Sequence, residues 1–150
     1  WFFNSGPLAG ASQPHRHFQL LRRDPSELSC PREKWILDFD NVNYKNQRFY
    51  KNIILKKFSK TLNKENIHEI YKDLSYKLGL GEPEIDKKPR YPYNLIFTNH
   101  WMILIKRKTD NLYGISVNAL GFAGYILVTE KSDMNYLKKF GPEKLLENFL

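Results

Sequence analysis

Apolar positions along the chain change period several times, and each change marks an element. Between Lys64 and Leu78, the residues Ile67, Ile70, Tyr71, Leu74 and Leu78 fall on one face of a 3.6-residue repeat. That predicts a helix, with Asn63 as its N-cap and Gly79 at the left-handed position beyond its end. Tyr93–Thr98 and Trp101–Arg107 are apolar runs flanking Asn99-His100 and predict a hairpin. His15–Leu21 alternates and predicts a strand. Tyr50–Phe58 fits a strand or a helix, the stripe Ile53, Ile54, Leu55, Phe58 slightly favouring the helix. Ile115–Thr129 is apolar with small residues, and strands are expected at both its ends. Ser132–Phe140 and Glu143–Leu150 predict two short helices, the first stopped by Gly141 and the second started by Pro142. Arg22–Arg32, Asp38–Asn46 and Gly81–Pro92 have the composition of loops. Lys106 and Arg107 close a strand and read as a surface pair, with a phosphate contact as the other reading.

Composition narrows the setting. The 150 residues are 41% apolar, enough for a real core. No apolar run reaches the ~18 residues that a membrane span needs, and no basic segment followed by an apolar one suggests a secretory leader. The single Cys30 can form neither an internal disulfide nor a cysteine zinc site, so a reducing, cytoplasmic compartment is expected. A formal charge of +8 favours polyanions, although scattered lysine is more often a solvated surface. No basic-aromatic recognition motif points to nucleic acid. The apolar opening Trp1-Phe2-Phe3, without an initiator Met, is what a piece of a longer protein is expected to look like.

The chemistry concentrates in Asn4-Ser5-Gly6-Pro7-Leu8-Ala9-Gly10-Ala11-Ser12-Gln13-Pro14-His15-Arg16-His17-Phe18-Gln19. On a strand, His15, His17 and Gln19 stand in a row on one face, while Arg16, Phe18 and Leu20 point to the other. Upstream, Gly6, Gly10 and Ala11 allow backbone to approach a ligand closely, and amides there, with Ser12 and Gln13, suit phosphate oxygens. A neutral imidazole is a good nucleophile toward phosphorus at pH 7, its reference pKa being ~6.5. Its second ring nitrogen needs an acceptor to fix the tautomer, and a backbone carbonyl can serve. From spacing alone, a solvated strand face and a His-x-His metal site stay open beside catalysis.

The run H-φ-H-φ-Q-φ-φ, preceded by Asn, Gly and Gly-Ala-Ser-Gln, resembles the histidine-triad superfamily. It is most similar there to the ATP adenylyltransferases, or diadenosine tetraphosphate phosphorylases, whose pattern N-x-G-x-x-x-G-A-S-Q-x-H-x-H-x-Q is matched from Asn4 to Gln19. Tyr93–Thr98, Trp101-Met102, Arg107 and Ile115–Gly124 resemble that family's C-terminal region. Arg16 stands where the superfamily pattern is apolar, and Lys106 where this family commonly has Pro.

The resemblance implies an α+β, HIT-like fold, a mostly antiparallel sheet with packed helices. It makes residues 1–150 the C-terminal, nucleophile-bearing part, with the family's N-terminal part absent from the chain. It also implies roles. His17 is the nucleophile, His15 positions it, and Gln19 takes the third place of the motif. Asn4 and Ser12 contact nucleotide and phosphate, with Gly10, Ala11 and Gln13 completing the phosphate-binding segment. The implied reaction is phosphorolysis of diadenosine tetraphosphate to ATP and ADP, or its reverse, through an adenylyl-histidine. Phosphate is the acceptor, and Mg²⁺ is expected to travel with the polyphosphate, since no carboxylate cluster in this chain is dedicated to it. The rival expectations are a nucleotide-binding module without turnover and a dinucleoside polyphosphate hydrolase.

Overall fold

A computed structural model describes residues 1–24, 26–39, 51–58 and 64–150. In chain order the regular elements are β1 (Phe2–Asn4), a single 3-10 turn (Pro7–Ala9), β2 (Phe18–Gln19), α1 (Glu33–Asp38), β3 (Ile53–Lys57) and α2 (Lys64–Lys77). There follow β4 (Tyr93–Phe97), β5 (Trp101–Lys106), β6 (Asn111–Leu112), β7 (Ile115–Ser116), α3 (Ala119–Ala123) and α4 (Met134–Asn148). Five strands form one sheet in the order β2-β1-β4-β5-β3, antiparallel throughout, and β6 and β7 form a separate hairpin. The fold is α+β with a mostly antiparallel sheet, as expected.

Both faces of the sheet are covered, which explains why β4 and β5 read as nearly continuous apolar runs rather than alternating ones. Phe3, Leu95, Met102 and Leu104 pack against Leu74 and Leu78 of α2. Phe2, Ile96, Trp101, Ile103 and Ile105 pack with Ile36 of α1, Phe122 of α3 and Leu145, Leu146 and Phe149 of α4. Among the described residues no helix is long and apolar enough to cross a membrane.

Several expectations hold closely. The β4–β5 hairpin turns at Asn99-His100, where the Thr98 hydroxyl accepts from the His100 and Trp101 amides at 3.1 and 3.3 Å. The long helix ends in a left-handed Gly79, φ 72°. The last helix breaks at Gly141, φ 77°, with Pro142 restarting it.

Others are corrected. Residues 53–57 form a strand, because each pairs with β5, from Ile53↔Ile105 to Lys57↔Trp101, and this pairing outweighs the weak helical stripe. The strand expected over His15–Leu21 contracts to Phe18–Gln19, because its partner β1 spans only three residues before Gly6 and Pro7 turn the chain away. After Ile115–Ser116 the chain forms α3 and not a second strand. Asn118 caps that helix, its Oδ1 accepting from Leu120 N–H at 2.9 Å, and Ala119, Gly121 and Ala123 allow it to sink into the core. Helix α1 was not anticipated. The Asn63 cap and the loop from 40 to 46 lie outside the described residues.

The largest correction concerns Arg107, which is 2% exposed and not a surface residue. Its guanidinium donates to Asn94 Oδ1, to the Thr109 carbonyl at 2.7 Å and to the Val117 carbonyl at 2.8 Å. It lies 5.0 and 5.2 Å from the ring centres of Phe122 and Phe149. Burial pulls its pKa down to about 10, so it is still charged at neutral pH. Asn94, fully buried, passes the network on. Its Nδ2 donates to Asn4 Oδ1 at 2.7 Å and to the Ala9 carbonyl at 2.8 Å, and Asn4 Oδ1 also accepts from Ala119 N–H at 2.9 Å. One cation thus ties β1, the 3-10 turn, β4, β7 and the start of α3.

Arg107→Met keeps much of the volume and removes the buried charge, but leaves three oxygens, two of them buried and one part-buried, without this donor. Each such oxygen costs ~1–3 kcal/mol, so the loss outweighs the relief of desolvation. The expected result is a drop of roughly 2–4 kcal/mol in unfolding free energy, measured by denaturant titration.

Candidate active site

The nucleophile candidate stands at the sheet edge. In the β1–β2 ladder Phe18 lies opposite Phe3, their rings 5.1 Å apart, and Gln19 lies opposite Phe2. Phe18 therefore faces α2. Gln19 faces the other way and is joined to His17, whose imidazole is part-buried.

Two contacts define that imidazole. Its Nδ1 lies 3.2 Å from the His15 carbonyl, and its Nε2 lies 3.0 Å from Gln19 Nε2. A carbonyl only accepts, so Nδ1 carries the hydrogen. The Gln19 amide nitrogen only donates, so Nε2 presents its lone pair. The contacts agree on one neutral tautomer, with the bare nitrogen facing the amide. His15 acts here through its carbonyl. Its own ring is exposed, 5.0 Å from that of His17.

The segment leading in is built as a tight turn. Ala9 N–H and Ala11 N–H donate to the Gly6 carbonyl at 2.9 and 3.1 Å, and Gly10 N–H to the Pro7 carbonyl at 2.8 Å. The amides of Gly10 and Ala11 are thus spent on the turn. The Ser12 and Gln13 side chains are exposed on the approach to His15. Gly10 adopts φ 79°, and a Cβ there would lie 2.8 Å from Asn118 Cβ and from the Val117 carbonyl. It is the point where the turn is pressed against the start of α3. Asn4 is buried, its Oδ1 holding Asn94 and Ala119, so in this structure it braces the turn.

On the α2 side, His17 borders an open groove of about 860 Å³, walled by Phe3, Phe18, Leu95, Phe97 and Met102 of the sheet and Tyr71 of α2. Among the described residues no group of three or more His, Cys, Asp or Glu is placed to hold a metal ion.

Asn94 and Arg107 are the supporting residues that the motif does not reveal. The signal was in the alternation. Asn4 shares its face with Phe2, Asn94 with Ile96, and Arg107 with Ile103 and Ile105, so each occupies an inward position.

Residues 31–149 match the family model described as the ATP adenylyltransferase C-terminal domain, and residues 1–36 match that of the Ap4A phosphorylase N-terminal domain. His15, His17 and Gln19 fall within the second match. Among solved structures, the chain is similar to the crystal structure of yeast Ap4A phosphorylase Apa2, with a TM-score of 0.59 and 17% sequence identity, over 99% of this chain and 53% of that one. At this identity the likeness shows the fold alone. The chain spans about half the length of the yeast protein. No protein of curated function matches it in sequence.

Gly10→Ala tests the turn. It combines a left-handed backbone with close approach to Asn118 and Val117. The expected loss is roughly 2–4 kcal/mol of stability. A crystal structure of the variant should show the turn displaced from α3. An undisturbed turn with unchanged stability would contradict the assigned packing role.

Proposed function

The chain belongs to the ATP adenylyltransferase family, and from that premise we propose that His17 is the nucleophile of a nucleotidyl transfer: phosphorolysis of diadenosine tetraphosphate to ATP and ADP, or the reverse. The observation that carries the proposal is the pairing of His17 Nδ1 with the His15 carbonyl, which leaves the Nε2 lone pair for attack. Nε2 attacks the α-phosphorus in line, the bond to the bridging oxygen breaks, and ATP departs. The ring keeps its Nδ1 hydrogen and so becomes cationic in the adenylyl intermediate. The His15 carbonyl stabilises that charge, and the ring becomes a better leaving group for the second step. An oxygen of inorganic phosphate then forms the new bond to phosphorus, the P–N bond breaks, its electron pair returns to Nε2, and ADP leaves.

Gln19 has two positions in this scheme. At rest its amide donates to Nε2 at 3.0 Å, and it must release that lone pair before attack. A phosphoryl oxygen bearing negative charge is the stronger acceptor and draws the same N–H away. Ser12 and Gln13 are the proposed phosphate contacts, the amides of Gly10 and Ala11 being engaged in the turn. Asn4 reaches nucleotide only by way of the turn that it braces. The aromatic faces beside His17 suit a base. Mg²⁺ would enter on the polyphosphate oxygens. A cytoplasmic setting belongs to the same proposal.

The test is chemical. Incubation with diadenosine tetraphosphate labelled in its adenosine moieties should transfer AMP to His17 through nitrogen, giving an acid-labile, base-stable linkage. His17→Asn should abolish labelling and lower turnover by at least ~10⁴-fold, since an amide lacks the attacking lone pair. Near-normal phosphorolysis in that variant would contradict the covalent route. Phosphate-independent release of AMP from the intermediate would make the protein a hydrolase.

A further inference from the structure

Behind the histidine strand, on the α2 face of the sheet, a cavity of about 110 Å³ lies between β1, β4, α2 and the loop after Leu80. Liquid water occupies ~30 Å³ per molecule, so the space suits a few waters or one tetrahedral oxyanion. Its walls are rich in donors. Arg16, Lys87 and Lys88 line it with exposed side chains, none of them held in an ion pair among the described residues.

Deeper in the wall, Ser75 is 1% exposed and its hydroxyl has no hydrogen-bond partner among the described residues. Such a group is rare in a folded protein and calls for an explanation, an unseen ion or water among them. The Tyr71 and Tyr93 hydroxyls bond each other at 2.7 Å, which leaves one hydroxyl hydrogen over. Ser5 Oγ accepts from Tyr93 N–H at 2.8 Å and keeps its own hydrogen to donate. Two carboxylates are present as well. Asp86 is committed to the loop, accepting from Glu82 N–H at 2.8 Å and from Arg90 at 3.2 Å, and Glu82 is exposed. Three cations therefore face one uncommitted carboxylate, alongside three neutral donors.

We propose that this chamber binds a tetrahedral oxyanion, either inorganic phosphate or the terminal phosphate of a polyphosphate chain, gripped by Arg16, Lys87 and Lys88. Neutral donors and guanidinium or ammonium groups are the partners such an ion takes. The consequence for His17 is mechanical. Arg16 sits between His15 and His17 in the chain, and its side chain lines both this chamber and the groove that His17 borders. An ion holding Arg16 fixes the backbone that supplies the His15 carbonyl. The site is distinct from the attacked phosphorus and does not rest on the transfer reaction.

Calorimetric titration with inorganic phosphate tests it. The chain should bind saturably. The double change Lys87→Gln, Lys88→Gln removes surface charge without touching the core and should weaken binding at least ~10-fold, as should Ser75→Ala, each removing donors to an anion. His17→Asn should leave the affinity within ~2-fold, because His17 does not line the chamber. Competition by ATP assigns the ion to a polyphosphate terminus, and its failure assigns a free ion. Both outcomes support the chamber. No saturable binding, indifference to either set of changes, or loss of binding in His17→Asn overturns the proposal.

Discussion

A guanidinium buried with amide oxygens as its hydrogen-bond partners is the constraint on which the rest of this structure depends. Arg107 takes the Asn94 side chain and the carbonyls of Thr109 and Val117, and its Nε is buried with no partner among the described residues. Aromatic faces of Phe122 and Phe149 close around it. Removing such a charge from water is costly, and the cost is met only while every one of those oxygens stays in place. The requirement is geometric. It holds the end of β5, the β6–β7 hairpin and β4 in one relation, and through Asn94 it extends to Asn4 and the Ala9 carbonyl.

From there the path to the chemistry is short. The Ala9 carbonyl belongs to the 3-10 turn, Gly10 presses that turn against Asn118, and the chain then reaches His15 and His17. Strand β2 contributes only two ladder residues of its own, too few to be stable alone. Its position comes from β1 and from the braced turn. The His15 carbonyl can select a His17 tautomer only because this segment has a fixed course. A polar network in the core and a hydrogen bond at the surface are two ends of one arrangement.

Much of this was legible in the residues. The alternation of His17 with Phe18, the helical stripe ending at Gly79, the Asn99-His100 turn and the break at Gly141-Pro142 are local signals, and the fold keeps all of them. What failed was decided at long range. Residues 53–57 carry a pattern that fits helix or strand, and the free edge of β5 chose for them. Arg107 follows Lys106 and so looked like the end of a strand entering solvent, although it continues the inward series Ile103, Ile105. The charge obscured the period. Asn4 was legible as a functional residue, but its bond to Ala119 depends on a contact 115 residues away, which no local pattern contains.

The fold presents His17 with its hydrogen on Nδ1 and its lone pair on Nε2. Long-range ¹H–¹⁵N correlation spectra of the His17 ring, recorded at a pH where it is neutral, read this directly. The prediction is a protonated Nδ1 and a bare Nε2. A proton found on Nε2, or an averaged mixture of the two tautomers, would contradict it.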